Sequence, residues 1–264
     1  MAILRIGISD PDFEVENLRY LTVQSTYLKG RGDISIFVPP NISNISDVPM
    51  VILLHGVYSS HWAWARQMNV HNNTLGLIEK GEIPPMVLVM PSDGLWAEGS
   101  GYLPHSGYDF EQWIVKDVMD AVIQMVPQVS KASPTFISGL SMGGYGALRI
   151  GGKYPTLFRA FSGHSSITDL DQMPLFVEEE ISNYNPESKD ESVLNYLKSN
   201  KEKLSPFRFD CGKDDLLIEY NRTLHKQLNA LEIPHTYEEF EGEHTARYWQ
   251  EHIIRSLLFF RSLL

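Results

Sequence analysis

One cysteine in 264 residues, Cys211, excludes a disulfide framework and a zinc site built on thiolates. Cations are also scarce, 22 Lys and Arg against 33 Asp and Glu. The formal charge of −11 argues against nucleic-acid or anionic-membrane partners, which are met through clustered Lys and Arg. No apolar run reaches the length of a membrane span. The opening MAILRIGISDPDFEVENLRY carries an acidic flank and no apolar signal-peptide core, so a cytoplasmic location is expected. Neither a GxxxxGKS/T nor a GxGxxG pattern occurs, which removes the two common phosphate-cradling turns. Internal repeats and low-complexity tracts are absent as well.

What the chain does have is an ordinary globular composition, 43% apolar and 21% charged. Its short apolar runs alternate with helix-length segments, the pattern of a largely parallel sheet covered on both faces. Leu18 to Leu28 and Asp33 to Val38, split by Lys29-Gly30-Arg31-Gly32, read as an antiparallel hairpin. Met50 to Leu54 and Met86 to Met90 are continuous apolar runs, as expected of doubly buried strands. Further strands are expected at Thr135–Ser138, Phe158–Ser162, Phe207–Cys211 and His235–Phe240. Helices are expected at Phe110–Val129, Tyr145–Tyr154, Leu216–Leu231 and Ala246–Leu264. The alternation lapses over 168–204, which reads as an insertion acting as a partial lid within a single domain spanning 1–264.

Between the strand ending at Ser138 and the helix near Gly144 lies Gly139-Leu140-Ser141-Met142-Gly143. This GxSxG spacing fits a sharp strand-to-helix turn that lifts a serine into the open. A serine hydroxyl attacks a carbonyl only with a base to take its proton and donors to hold the oxyanion. In an α/β-hydrolase the acid and then the histidine follow the serine, each after a later strand. His244 lies in the turn after the last strand; His164 also ends a strand, but would precede the acid. Asp214 and Asp215 share the turn after Cys211, and spacing leaves the choice between them open. The oxyanion donors expected are the amide of Met142 and, after the Met50–Leu54 strand, that of Val57, with His55 bracing the loop. The aromatics Tyr58, Trp62, Trp64 and Trp96 follow the ends of two strands and are candidates to bind substrate, whereas Trp113 and Trp249 fall in helices and are expected in the core.

The chain resembles the esterase D-like group of α/β-hydrolases, which takes in tributyrin-type and acetyl esterases, feruloyl and acetylxylan esterases, S-formylglutathione hydrolases and mycolyltransferases. The likeness is carried by LLHG with VYSSHWAW (Leu53–Trp64), LVMPSDG (Leu88–Gly94), FEQWIVKDV (Phe110–Val118), SGLSMGGYGAL (Ser138–Leu148), CGKDDLL (Cys211–Leu217) and EGEHTARYW (Glu241–Trp249). The resemblance implies Asp215, three places after the glycine of its loop, as the acid, and supports His244. It implies a triad of Ser141, His244 and Asp215 that needs neither metal nor organic cofactor. A short acyl or feruloyl ester, of a carbohydrate among others, is the implied small-molecule substrate. Hydrolysis of S-formylglutathione, transfer to an alcohol, and a non-catalytic binding protein on the same fold are the alternatives. The S-formylglutathione hydrolases carry a cysteine in the segment that is HGVYSSHW here. A homo-oligomer is left open.

Overall fold

A computed structural model describes residues 2–184 and 191–264. In chain order the strands are β1 Ile3–Ile8, β2 Leu18–Ser25, β3 Gly30–Phe37, β4 Met50–Leu54, β5 Val87–Pro91, the two-residue pair β6 Pro104–His105 and β7 Tyr108–Asp109, then β8 Thr135–Leu140, β9 Ala160–His164, β10 Phe207–Gly212 and β11 Thr236–Phe240. The α-helices are α1 Ala63–Arg66, α2 Val70–Glu79, α3 Phe110–Gln112, α4 Met119–Met125, α5 Met142–Lys153, α6 Ile181–Tyr184, α7 Val193–Ser199, α8 Ile218–Ala230 and α9 Ala246–Arg261.

Nine strands form one sheet in the order β1-β2-β3-β5-β4-β8-β9-β10-β11. The first four are joined antiparallel and the run from β5 to β11 is parallel. The expected hairpin is β2–β3, and β1 adds an edge strand that was not expected, although its sequence, ILRIGI, is largely aliphatic.

Side-chain alternation along the strands supplies two cores. Met50, Ile52 and Leu54 of β4 face one layer, with Val87 and Val89 of β5, in a core that also takes in α4, α5 and, over β10, α8. Val51 and Leu53, with Leu88 and Met90, face the other, under α1, α2 and α9. Both faces are therefore covered, as the continuous apolar runs require.

The expected helix over Phe110–Val129 is broken. A π-helical stretch, Trp113–Val118, separates α3 from α4, and Val126 is already extended. Pro127 follows, and the residue before a proline is sterically driven out of helical geometry. Within the π stretch, Trp113 is fully buried and its indole N–H donates to the Ser92 carbonyl at 2.7 Å.

A charged cluster lies inside the fold where α3 and α5 approach each other. Arg149 of α5, 0% exposed, pairs with Glu111 of α3 at 2.7 Å and with Glu191 at 2.9 Å, and donates to the Tyr102 carbonyl. It thus ties helix α5 to the segment leading into α7. The described parts of the 168–204 region, 168–184 and 191–204, lie between β9 and β10 and contain a 3-10 turn at Leu170–Leu175, α6 and α7, while 185–190 of the expected insertion lie outside the described residues. The first part is strapped to the loop after β5: the Tyr184 hydroxyl donates to the Gly99 carbonyl and that of Ser106 to the Asn183 carbonyl.

Candidate active site

At the end of β8 the chain turns within one residue. Ser141 sits at φ 54°, ψ −120°, strained for a residue with a side chain, and Met142 already begins α5. Room for that turn comes from missing methyl groups. A Cβ at Gly139 would lie 2.1 Å from the Gly143 carbonyl oxygen, and one at Gly143 would lie 2.3 Å from that of Leu54. Gly143→Ala is therefore expected to destabilise the fold by about 1–3 kcal/mol and to displace the elbow. Thermal unfolding and turnover of an acetate ester check this; an alanine variant with wild-type values for both would contradict the packing.

The turn after β11 brings His244 over the elbow. Its Nε2 lies 3.0 Å from Ser141 Oγ, and its Nδ1 lies 3.0 and 2.9 Å from the two carboxylate oxygens of Asp215. Asp215 is 2% exposed and its Oδ1 also accepts the Leu217 amide at 2.8 Å. Asp214 points out to solvent, so the structure brings together Asp215 rather than its neighbour. Burial pushes the Asp215 carboxyl up, but the hydrogen bond and charge of His244 and the Leu217 amide outweigh it, leaving the group below the ordinary range.

His164, the other strand-end histidine, has its ring buried in a separate network. Its Nδ1 meets Asp210 Oδ1 at 3.1 Å and its Nε2 meets Ser256 Oγ at 2.9 Å. His55 braces its loop, as expected. The ring bonds the Gly56 carbonyl through Nδ1 and accepts the Asp93 amide at Nε2, and burial holds its pKa down.

Three buried carboxyls carry a pH prediction of one sign. In Asp210 and Glu111, as in Asp215, burial acts upward but is outweighed: by His164, Arg208 and Tyr248 for Asp210, and by Arg149, Tyr154 and Lys153 for Glu111. A depressed folded pKa gives stability that is complete above the unfolded value, near 4, and is lost as pH falls through the folded one. Asp117, raised by burial, opposes this. Urea denaturation from pH 7 to pH 3 is expected to show unfolding free energy declining in acid, with Asp210→Asn flattening the decline; an unchanged slope would refute the assignment.

Gly56 approaches the nucleophile closely: a Cβ there would lie 3.4 Å from that of Ser141. Val57, the next residue, borders the same cavity as Ser141, and neither its amide nor that of Met142 donates to an acceptor among the described residues. In front of them opens a cavity of about 320 Å³ bordered by Val57, Tyr58, Trp62, Met68, Phe176 and Trp249 together with Ser141 and His244. A larger cleft of about 590 Å³ lies at the opposite end of the sheet, beside Thr135 where β8 begins, away from the serine.

Two of the four aromatics expected at the substrate, Tyr58 and Trp62, border this cavity. Trp64 does not: α1 turns it inward, 1% exposed, with its indole N–H on the Leu54 carbonyl. Trp96 does not either. Its ring meets His105 and Tyr184 edge-on at 4.5 and 5.2 Å, beside a different cleft with Arg31 and Tyr108. Trp249, expected in the core, instead lies in the first turn of α9 with its ring edge-on to His244 at 4.9 Å. Phe176, from the 168–204 region, covers the imidazole at 5.0 Å, and an irregular segment gave no periodicity to signal it.

Among the described residues no group of three or more His, Cys, Asp or Glu is arranged to hold a metal, and no helix is long and apolar enough to cross a membrane.

Strand order and elbow together define an α/β-hydrolase. The sequence matches the esterase family, described as "Putative esterase", over residues 25–260, and the chain belongs to that family of carboxylic-ester hydrolases. It is similar to an acetyl esterase of Caldicellulosiruptor saccharolyticus, 28% identical over 220 residues, covering 76% of this chain and 79% of the relative. Among solved structures, a ferulic acid esterase aligns with a TM-score of 0.80 at 20% identity, covering 99% of this chain and 100% of that one. A fluorophosphonate-binding serine hydrolase of Staphylococcus aureus aligns with a TM-score of 0.79 at 20% identity, covering 92% and 97%. At those identities the likeness to solved structures establishes the fold.

Proposed function

We propose that the protein is a serine carboxylesterase that hydrolyses short acyl esters, acetyl above all, with Ser141 as nucleophile, His244 as base and Asp215 as its orienting acid. The observation that carries this reading is the unbroken line from Ser141 Oγ to His244 Nε2 and from Nδ1 to the Asp215 carboxylate, every contact between 2.9 and 3.0 Å.

In the first half-reaction His244 takes the serine proton as Oγ adds to the ester carbonyl. Asp215 holds the proton on Nδ1 and stabilises the imidazolium that forms. The developing oxyanion falls to the amides of Val57 and Met142. His244 then returns the proton to the leaving alcohol; in the second half-reaction it takes a proton from water as that water adds to the acyl-enzyme, and gives it to Ser141 Oγ as the carboxylic acid leaves. Each step uses side chains and main-chain donors of this chain.

Substrate size follows from the cavity. At about 320 Å³ it stands at the small end of ligand sites, roughly 300–1,000 Å³, and Trp62, Phe176 and Trp249 wall it with rings. A short acyl group on a sugar or phenolic alcohol, or a feruloyl group, suits an aromatic rim. Acetyl and feruloyl are also the acyl groups named for two similar proteins. The 168–204 region, which supplies Phe176, acts as a partial lid on this single domain.

The test is a panel of acetyl, butyryl, octanoyl and feruloyl esters with S-formylglutathione alongside. The expected order of kcat/KM puts acetyl and butyryl at least about tenfold above octanoyl, the scale on which a pocket discriminates added methylenes. A preference for octanoyl would overturn the short-acyl assignment.

A further inference from the structure

Behind the site lies a second string of serine, histidine and aspartate, sealed from solvent. Ser256 of α9, His164 of β9 and Asp210 of β10 are each 0% exposed, so no substrate reaches them. Arg208 closes the string into a ring. Its Nη1 donates to Ser256 Oγ at 3.0 Å and lies 2.8 Å from Asp210 Oδ2. That oxygen also lies 2.9 Å from His164 Nδ1, both as ion-pair contacts off the hydrogen-bond axis, while Oδ1 takes the aligned bonds from His164 and from the Tyr248 hydroxyl. Arg208 Nη2 reaches on to Glu238 of β11 at 2.7 Å.

Both halves of the reacting pair rest on this ring. The His164 carbonyl accepts the Ser141 amide at 3.0 Å, the backbone bond at the strained elbow itself. Asp210 holds Tyr248, whose ring backs the histidine turn: a Cβ on Gly242, two residues before His244, would lie 2.8 Å from Tyr248 Cδ2. The Asp210 carbonyl also accepts the Ser165 amide at 2.8 Å, which fixes the chain just past His164. Strands β9, β10 and β11 and helix α9 meet here through side chains, with Asp210 Oδ2 held by its two ion-pair contacts alone, and hydrogen bonds and ion pairs in a buried, low-dielectric setting are strong enough to stiffen the geometry.

We propose that His164 is a positioning residue for ester hydrolysis: the Arg208–Asp210–His164–Ser256 ring, with Tyr248, fixes Ser141 and His244 relative to each other from behind the sheet. The proposal rests on the reading of Ser141 as nucleophile and His244 as base. None of His164, Arg208, Asp210, Tyr248 and Ser256 lines the cavity, so loosening the ring acts on the reacting distance rather than through contacts with substrate.

The experiment uses the full chain with Ser256→Ala, Tyr248→Phe and His164→Asn, below the melting temperature of each. Active sites are counted by a fluorophosphonate label on Ser141, and kcat and KM for p-nitrophenyl acetate are expressed per labelled site. A loss of stability alone lowers the number of labelled sites and leaves the rate at each unchanged. Positioning predicts kcat per site down about tenfold in Ser256→Ala and Tyr248→Phe with KM near its wild-type value, since misplacement of reacting groups by an ångström reaches about a hundredfold. Unchanged kcat per site in both of these conservative variants, or a rise in KM alone, overturns the proposal whatever the third does. If wild-type Ser141 takes no label, the nucleophile reading itself has failed, an outcome separate from a labelled enzyme that is indifferent to the ring.

Discussion

Replacing Ser141 by alanine is expected to lower kcat for p-nitrophenyl acetate by about 10⁴- to 10⁶-fold while the protein stays folded, the range set by nucleophile deletions in triad hydrolases. The asymmetry between activity and fold follows from what the side chain touches. Among the described residues its Oγ has one hydrogen-bond partner, His244 Nε2, and the backbone strain at φ 54° is the same for alanine. The elbow is held by the backbone bond to His164 and by the two glycines, none of which the substitution alters. His244→Gln should fall in the same range, and the double variant should lose little more than either single one, because nucleophile and base act as one unit. Circular dichroism and turnover of a clean preparation check both halves. A rate within tenfold of wild type would remove Ser141 from the nucleophile's role.

The second large effect concerns stability. Arg149→Met is expected to destabilise the protein by about 3–5 kcal/mol, the scale for breaking a buried ion pair from one side. Arg149 is 0% exposed between Glu111 and Glu191, whose side chains are 2% and 4% exposed. Methionine would fill most of the space and leave Glu191 in the core without its cation and Glu111 with Lys153 alone, a lysine partly open to solvent. At about 2–4 °C per kcal/mol for chains near this size, the melting temperature should drop by roughly 10 °C. Lys116→Ala is the control: that lysine pairs with Asp120 one helical turn away with more than half its side chain in solvent, and such pairs contribute at most about 0.5 kcal/mol. Adding Glu111→Gln to Arg149→Met should recover part of the loss. A fall below about 1 kcal/mol for Arg149→Met would contradict the account of the cluster.

The parts of the fold legible in the sequence were those with a local cause. Met50–Leu54 and Val87–Pro91 announce themselves because a doubly buried strand has no polar face to interrupt the run. Ser141 is legible because its turn tolerates only glycine at two fixed places, and the order of acid and histidine follows from topology. The choice between Asp214 and Asp215 needed the family, since both sit in one turn and only three-dimensional direction separates them. Direction is also what misled the reading of the tryptophans. Trp62 and Trp64 are two residues apart at the start of α1, a spacing that sends one to the rim and the other into the core. Trp249 read as core because it sits within a long amphipathic helix. It lies in the first turn, where the helix passes the His244 loop, and no periodicity reports what an adjacent loop will do. The Arg208–Asp210–His164–Ser256 ring joins two strands and a helix across 92 residues, so nothing local could signal it.

Cys211, the only thiol in the sequence, lies 0% exposed on β10, and burial raises its pKa so that the reactive thiolate is suppressed. The chain therefore offers no reactive thiol of its own to compete with one introduced for site-directed spectroscopy. A cysteine introduced at an exposed rim position such as Leu175, beside Phe176, would take a maleimide fluorophore without any background substitution. A change in that fluorescence during turnover would test the lid role proposed for the 168–204 region, and a constant signal would count against it.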